Sequence, residues 1–176
     1  MIVYTLGHST LALEAFVAQV RAHGIRGLAD VRRFPASRRH PHFAREALGD
    51  ALAASGIAYT WLPALGGRRT GQRDSRHVAW QSAAFRAYAD HMDTDEFHTA
   101  LDGLLELVRE RPTAILCAEA VPWRCHRQLI ADALLVRGVE VRHVIGHGPP
   151  SAHRLTTFAR VVDGQLIYDR GQLALP

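Results

Sequence analysis

Five short apolar runs recur along the chain: Ile2 to Leu6, Ile25 to Val31, Ile57 to Leu62, Thr113 to Leu116 and Val139 to Ile145. Each gives way to a polar segment rich in glycine, arginine, histidine or cysteine. Between the runs the apolar period lengthens to that of a helix. Leu13, Phe16, Val17 and Val20 stand at i, i+3, i+4 and i+7. Leu48 and Leu52 mark a helix over Ala44 to Ser55 closed by Gly56, and Phe85, Tyr88 and Met92, expected as core or a wall of the site, mark one over Trp80 to Met92. Phe97, Leu101, Leu104, Leu105 and Val108 mark a helix that starts near Asp95 and stops at Pro112, and Gln128 to Val136 a further one. Strand, helix, strand is a parallel crossover. The repeated alternation predicts a three-layer α/β fold: a mostly parallel five-stranded sheet with helices on both faces. Asp163-Gly164, between Phe158 to Val162 and Gln165 to Tyr168, adds a C-terminal β-hairpin. With no internal repeat or linker, the 176 residues are expected to form a single α/β domain.

This architecture decides where chemistry is sought, because open parallel sheets bind ligands beyond the carboxyl ends of their strands. The first run ends in Gly7-His8-Ser9-Thr10, where the glycine permits close backbone approach and the hydroxyls either cap the next helix or meet an anion. After the second comes Asp30 to Phe43, longer than most strand-to-helix loops and carrying Arg32, Arg33, Ser37 and Arg38 among aromatics and histidines. Asp30 is read as an orienting group for Arg32 or for a catalytic side chain. The third run leads into Pro63 to Arg76, in which Gly66, Gly67 and Arg68 suit a phosphate contact but lack the lysine and spacing of a P-loop. The fifth is followed by His147, a further candidate, and by His153 and Arg154, which carry less signal.

The fourth run leads into the densest motif, Cys117-Ala118-Glu119-Ala120-Val121-Pro122-Trp123-Arg124-Cys125-His126-Arg127, which holds both cysteines of the protein. A helix beginning near Arg124 or Cys125 would present unpaired N–H groups and the positive end of its dipole to a thiol. Arg124 and Arg127 favour the thiolate further, and His126 supplies a base or a second cation. Cys125 is therefore the nucleophile candidate, with Cys117 as its neighbour, Glu119 as acid or orienter, and His126 or His8 as base. Cys117 also reads as an ordinary buried thiol at a strand end. The types Cys117, Glu119, Cys125 and His126 could serve a metal, although their spacing is not the paired C-x2-C of a strong zinc site.

The string CAEAVPWRCHR, taken with LGHST, DVRRFPASRR and LPALGGRR, resembles the domain-of-unknown-function family numbered 488, and the resemblance extends over nearly the whole chain. It implies a small bacterial or archaeal α/β domain with polar residues gathered at one site, and no particular reaction.

Charge and composition narrow the partner. A net charge of +4 favours an anionic one, but all 21 basic residues are arginine, a bias that genome composition can produce, so placement counts for more than abundance. No apolar run approaches a membrane span, no signal-peptide pattern opens the chain, and two cysteines make no disulfide framework; a cytoplasmic location is expected. Three functional readings stand. The first is a thiol-dependent hydrolase or transferase acting on a phosphate-bearing small molecule or nucleic acid. The second is a nucleotide or nucleic-acid binding module without chemistry, and the third a metal-binding protein. No cofactor or oligomeric state is indicated.

Overall fold

The computed structural model describes residues 1–36, 38–146 and 148–169. The elements are β1 (Ile2–Gly7), α1 (Leu13–Ala22), β2 (Gly27–Asp30), α2 (Arg45–Ala54), β3 (Ala58–Trp61), α3 (Ala83–Met92), α4 (Asp95–Glu110), β4 (Thr113–Cys117), α5 (Arg127–Val136), β5 (Glu140–His143), β6 (Ser151–Ala152), β7 (Ala159–Val162) and β8 (Gln165–Tyr168). The fold is mixed α/β. Its main sheet has the order β3-β2-β4-β1-β5-β6, with β1 to β5 parallel.

Five strands are expected from sequence, and the sheet has six. Ser151 and Ala152 pair antiparallel with His143 and Arg142. A two-residue strand after Pro149-Pro150 has no periodicity to betray it; it exists because the edge of β5 offers unpaired backbone groups. The C-terminal hairpin is present, and Asp163 (φ 50°) and Gly164 (φ 78°) take the paired left-handed conformations of its turn.

Alternation along the strands divides the core in two. Leu6, Leu28, Ala114 and Leu116 pack with Phe16 and Val20 of α1 and Leu48 and Leu52 of α2. Val3, Ala29, Ile115 and Cys117 pack instead with Tyr88 of α3, Phe97 and Leu104 of α4, and Leu129 and Ile130 of α5. The change of partner follows the path of the chain. It runs outward from β1 to β2 and β3, then returns to insert β4 between β2 and β1 before passing on to β5. Right-handed crossovers place helices on opposite sides of a sheet when the direction of travel reverses. Each fully buried leucine or phenylalanine in these clusters contributes about 1.5–3 kcal/mol.

The insertion of β4 locates the site. Gly7 stands in register with Cys117, and Asp30 with Leu116. Just beyond the strands, His8 N–H donates to the Cys117 carbonyl (3.1 Å) and Val31 N–H to that of Leu116 (3.0 Å). His8, Val31 and Cys117 are thereby neighbours at the carboxyl edge. Among the described residues, no helix is long and apolar enough to cross a membrane.

Candidate functional site

A cleft of about 420 Å³ opens over this edge, lined by His8, Arg32, Arg33, Phe34, Gly67, Arg68, Phe85, Tyr88, Cys117, Glu119, Arg124, Cys125 and His126, with Ala36, Ala84 and Ala118 between them. A broader depression of about 870 Å³ at the opposite ends of β2 and β3 is lined by Arg26, Tyr59, Arg111 and mostly small or apolar residues, with no cysteine or histidine. Of these two, the first holds the cysteines and histidines.

Both thiols form its floor. Cys117, 7% exposed, ends β4 on the side facing α3 and α5; Cys125, 4% exposed, returns to it from the following loop. The helix start expected at Arg124 or Cys125 lies later. Pro122–Arg124 form a single 3-10 turn, Cys125 is extended (φ −141°, ψ 150°), and α5 begins at Arg127 with His126 as its N-cap. Proline at the start of the turn and the extended Cys125 at its end separate it from α5. The Cys125 amide accordingly bonds to the Pro122 carbonyl (2.9 Å) and does not join the first turn of α5.

Three groups act on the sulfurs. His126 places Nδ1 3.6 Å from Cys125 Sγ, while its Nε2–H donates to the Val31 carbonyl at 3.0 Å. That carbonyl only accepts, so Nδ1 is left to take the thiol proton. Gly67 makes the arrangement possible, because a Cβ there would stand 2.9 Å from His126 Nδ1. Arg127, 1% exposed, directs Nε–H to Cys125 Sγ at 3.5 Å and a terminal N–H to the Glu119 carbonyl. No carboxylate pairs with it among the described residues. The sulfurs of Cys117 and Cys125 lie within 4.8 Å of one another. The Cys117 thiol, then His126 and Arg127, hold Cys125 well below the usual thiol range against the opposing effect of burial. Cys117 is driven the other way, by Cys125 and by burial.

Beside the thiols lies a rigid polar block. Asp30, fully buried, accepts Arg32 Nε–H (2.9 Å), the Arg32 backbone N–H (3.0 Å) and the Tyr59 hydroxyl (2.6 Å). Arg32 also donates to the Phe43 carbonyl (2.8 Å) and to His8 Nε2 (3.3 Å). His8 donates Nδ1–H to the Ser9 carbonyl (2.9 Å) and stacks on Phe43 at 4.1 Å. Burial first, then the Arg32 charge, push His8 down to about 4. It is therefore a neutral imidazole near neutral pH with its free nitrogen already accepting. Asp30 orients Arg32, and most of the Arg32 donors are already engaged within the protein.

The rim is cationic. Arg33 bonds only the Arg68 carbonyl (3.4 Å), and the side chains of Arg68 and Arg124 make no hydrogen bond or ion pair among the described residues. Arg68 itself sits at φ 59°, a left-handed conformation that costs a non-glycine residue energy. Glu119 turns an exposed side chain to the cleft wall and stands outside the group formed by Cys117, Cys125 and His126, whose donor atoms lie within 4.8 Å of one another. Ser9 is half-buried and Thr10 exposed; neither lines the cleft, nor do they cap α1, whose N-cap is Ala12 without a side-chain bond. Arg38 is exposed beyond the lining, and Ser37 and His147 lie outside the described residues.

Sequence reasoning left Phe34 without an assignment and gave Phe85 and Tyr88 as core or cleft wall; all three line the cleft, and their helical or loop positions were the available signal. It also missed a buried chain behind the thiols. The Thr5 hydroxyl meets His143 Nδ1 (2.7 Å), His143 Nε2 meets His153 Nδ1 (3.0 Å), and His153 Nε2 meets Asp132 (2.8 Å). Tyr168 and Thr156 donate to the same carboxylate at 2.9 and 2.7 Å.

No curated protein and no solved structure matches the chain. The family described as "Domain of unknown function DUF488" matches residues 12–134, more than two thirds of the chain. The match contains both cysteines, His126, Arg127 and the three rim arginines; it leaves out LGHST and the segment after α5, so it is shorter than the motif resemblance suggests. The chain belongs to this domain-of-unknown-function family.

Proposed function

We propose that the protein is an enzyme that uses the Cys125 thiolate as a nucleophile on a phosphate-bearing substrate, a nucleotide or nucleic acid, drawn into the cleft by Arg33, Arg68 and Arg124. The observation that carries this reading is the buried Arg127, which has no carboxylate partner and directs Nε–H at Cys125. An arginine does not lose its proton in a protein, so a buried one needs an anion, and the thiolate supplies it. His126 Nδ1 takes the proton from Cys125 and returns it to the leaving group; the Val31 carbonyl holds the ring in place for this, as the third member of a nucleophile, base and orienter set. Glu119, exposed on the wall, exchanges protons with bound substrate and not with the thiol. A binding module without chemistry would need the cations but not this thiol arrangement.

The test is alkylation of each cysteine across the pH range, with Cys125→Ala and Cys117→Ala as controls. Cys125 should react with iodoacetamide well below the ordinary thiol range of about 8.5. Its preference for anionic iodoacetate should fall severalfold, on the order of one Debye-screened charge per site, when Arg33, Arg68 and Arg124 are replaced by alanine. Ordinary thiol behaviour at Cys125 would remove the mechanism.

One specific observation favours a metal centre as a second reading. Cys117, Cys125 and His126 converge, and the 3.6 Å between Sγ and Nδ1 suits two ligands of one tetrahedral ion, with His126 Nε2–H tied to a carbonyl as metal-bound histidines usually are. Against it, Arg127 already directs a cationic donor at Cys125, where a metal would put a second positive charge. Elemental analysis of purified protein, with alkylation repeated after chelation, separates the two.

A further inference from the structure

Cys117 forms no bond to substrate in the reaction just proposed. Yet its sulfur lies within 4.8 Å of that of Cys125 and of a ring nitrogen of His126, and it lines the same cleft. Its side chain packs on the face of α3 and α5, where Cys125 also lies, whereas Leu116, the preceding residue, turns to the other face. This proximity makes a second sulfur available wherever Cys125 becomes covalently occupied.

We propose that Cys117 is the resolving thiol of a two-electron couple with Cys125, and that the site reduces a small anionic disulfide. This rests on Cys125 as the nucleophile and narrows what it attacks. In the first step the Cys125 thiolate, its proton held on His126 Nδ1, attacks one sulfur of the substrate; a Cys125–S bond forms and the substrate S–S bond breaks. One substrate sulfur leaves toward the rim arginines as a thiol, taking the proton from His126 and freeing Nδ1 for the next step. In the second, Cys117 loses its proton to His126 Nδ1 and attacks Cys125 Sγ, forming the Cys117–Cys125 disulfide and expelling the second substrate thiolate. Two protein thiols are oxidised and one substrate disulfide is reduced, two electrons passing in all. An external thiol, low-molecular-weight or a protein dithiol, returns the pair to its reduced form by the reverse exchange.

Each part of the geometry has a task in this sequence. Arg127 holds the attacking sulfur as thiolate, and the low basicity that results also makes Cys125 the better leaving sulfur when the external thiol attacks. Arg33, Arg68 and Arg124, none of which pairs with a carboxylate among the described residues, select for negative charge on the substrate.

The test uses the full chain with oxidised glutathione as the anionic probe and 2-hydroxyethyl disulfide as the neutral one, followed by intact-mass and peptide-mass analysis. Wild type should lose two hydrogens, gain the Cys117–Cys125 bond and release two thiols per probe. Cys117→Ser and Cys117→Ala should halt at a mixed disulfide on Cys125, and Cys125→Ser should not react. Relative to a free small thiol, the protein should prefer the anionic probe roughly tenfold at low salt, and less as salt rises. A wild-type protein that halts at the mixed disulfide overturns the resolving role, and equal rates with the two probes overturn the anionic class. Failure to react with either probe, while Cys125 is still rapidly alkylated, sinks the redox inference alone; loss of rapid alkylation as well sinks the nucleophile reading on which it rests.

Discussion

The Nε–H of Arg127 points at the sulfur of Cys125 from 3.5 Å, and the arginine is 1% exposed. The two residues are adjacent to opposite sides of His126, where α5 begins, so the pair is local in sequence; what makes it unusual is its enclosure. A guanidinium in the core costs several kcal/mol unless an anion accompanies it. Arg127 thereby adds to the effects of Cys117 and His126 that lower the proton affinity of Cys125.

Replacing Arg127 with methionine, which keeps the apolar stem and removes the charge, should raise the pH at which Cys125 ionises, because a nearby cation favours the thiolate. The ultraviolet absorbance of the thiolate, followed in a pH titration of Cys117→Ala and its Arg127→Met double variant, reads the shift directly. An unchanged titration would leave the burial of Arg127 without its stated reason.

Stability should fall on mild acidification. Burial pushes His8 and His143 down to about 4 from the usual 6.5, assisted by Arg32 at the first and His153 at the second. Between those values the unfolded chain binds protons at both positions and the native chain does not, so the stability they confer is complete above about pH 6.5 and is lost as the pH approaches 4. Allowing for partial solvent contact, the two together account for on the order of 3 kcal/mol. Urea midpoints at about pH 7 and about pH 4.5 should differ accordingly, and the difference should shrink in His143→Gln, which leaves one such histidine.

Gly67→Ala should harm the site more than its small size suggests. The added Cβ would lie 2.9 Å from His126 Nδ1, the atom that faces Cys125, so the imidazole must move or the loop must retreat. A loss of roughly 1–3 kcal/mol is expected from such overpacking. Alkylation of Cys125 near neutral pH should slow while Cys117 behaves as before; equal effects on both thiols would indicate general loosening instead.

Much of the fold was legible because the signals are local. The helical stripes of α1 and α4, the parallel crossovers and the Asp163-Gly164 turn follow from periodicity and from residues that tolerate particular dihedral angles. So was the convergence of loops: His8, Arg32, Arg68 and the cysteine motif do gather at one end, as strand polarity in a parallel sheet requires. The short β6 was not, since two residues carry no period, and neither was the start of α5, displaced to Arg127 by the turn at Pro122.

Site roles were harder to read, because they depend on what each polar group has already met. Asp30 and Arg32 look available in the sequence and are engaged with each other, Tyr59, Phe43 and His8. His153 looks like a loop histidine and lies buried against Asp132. By itself the sequence determined the elements, their polarity and the edge at which reactive residues collect, for these are properties of a few consecutive side chains. Only the tertiary structure decided that β4 enters between β1 and β2, that the Val31 carbonyl fixes the ring of His126, and that Arg127 is enclosed beside Cys125. Hydrogen-bond partners and desolvation arise between residues far apart in the chain, and they exist only once it has closed.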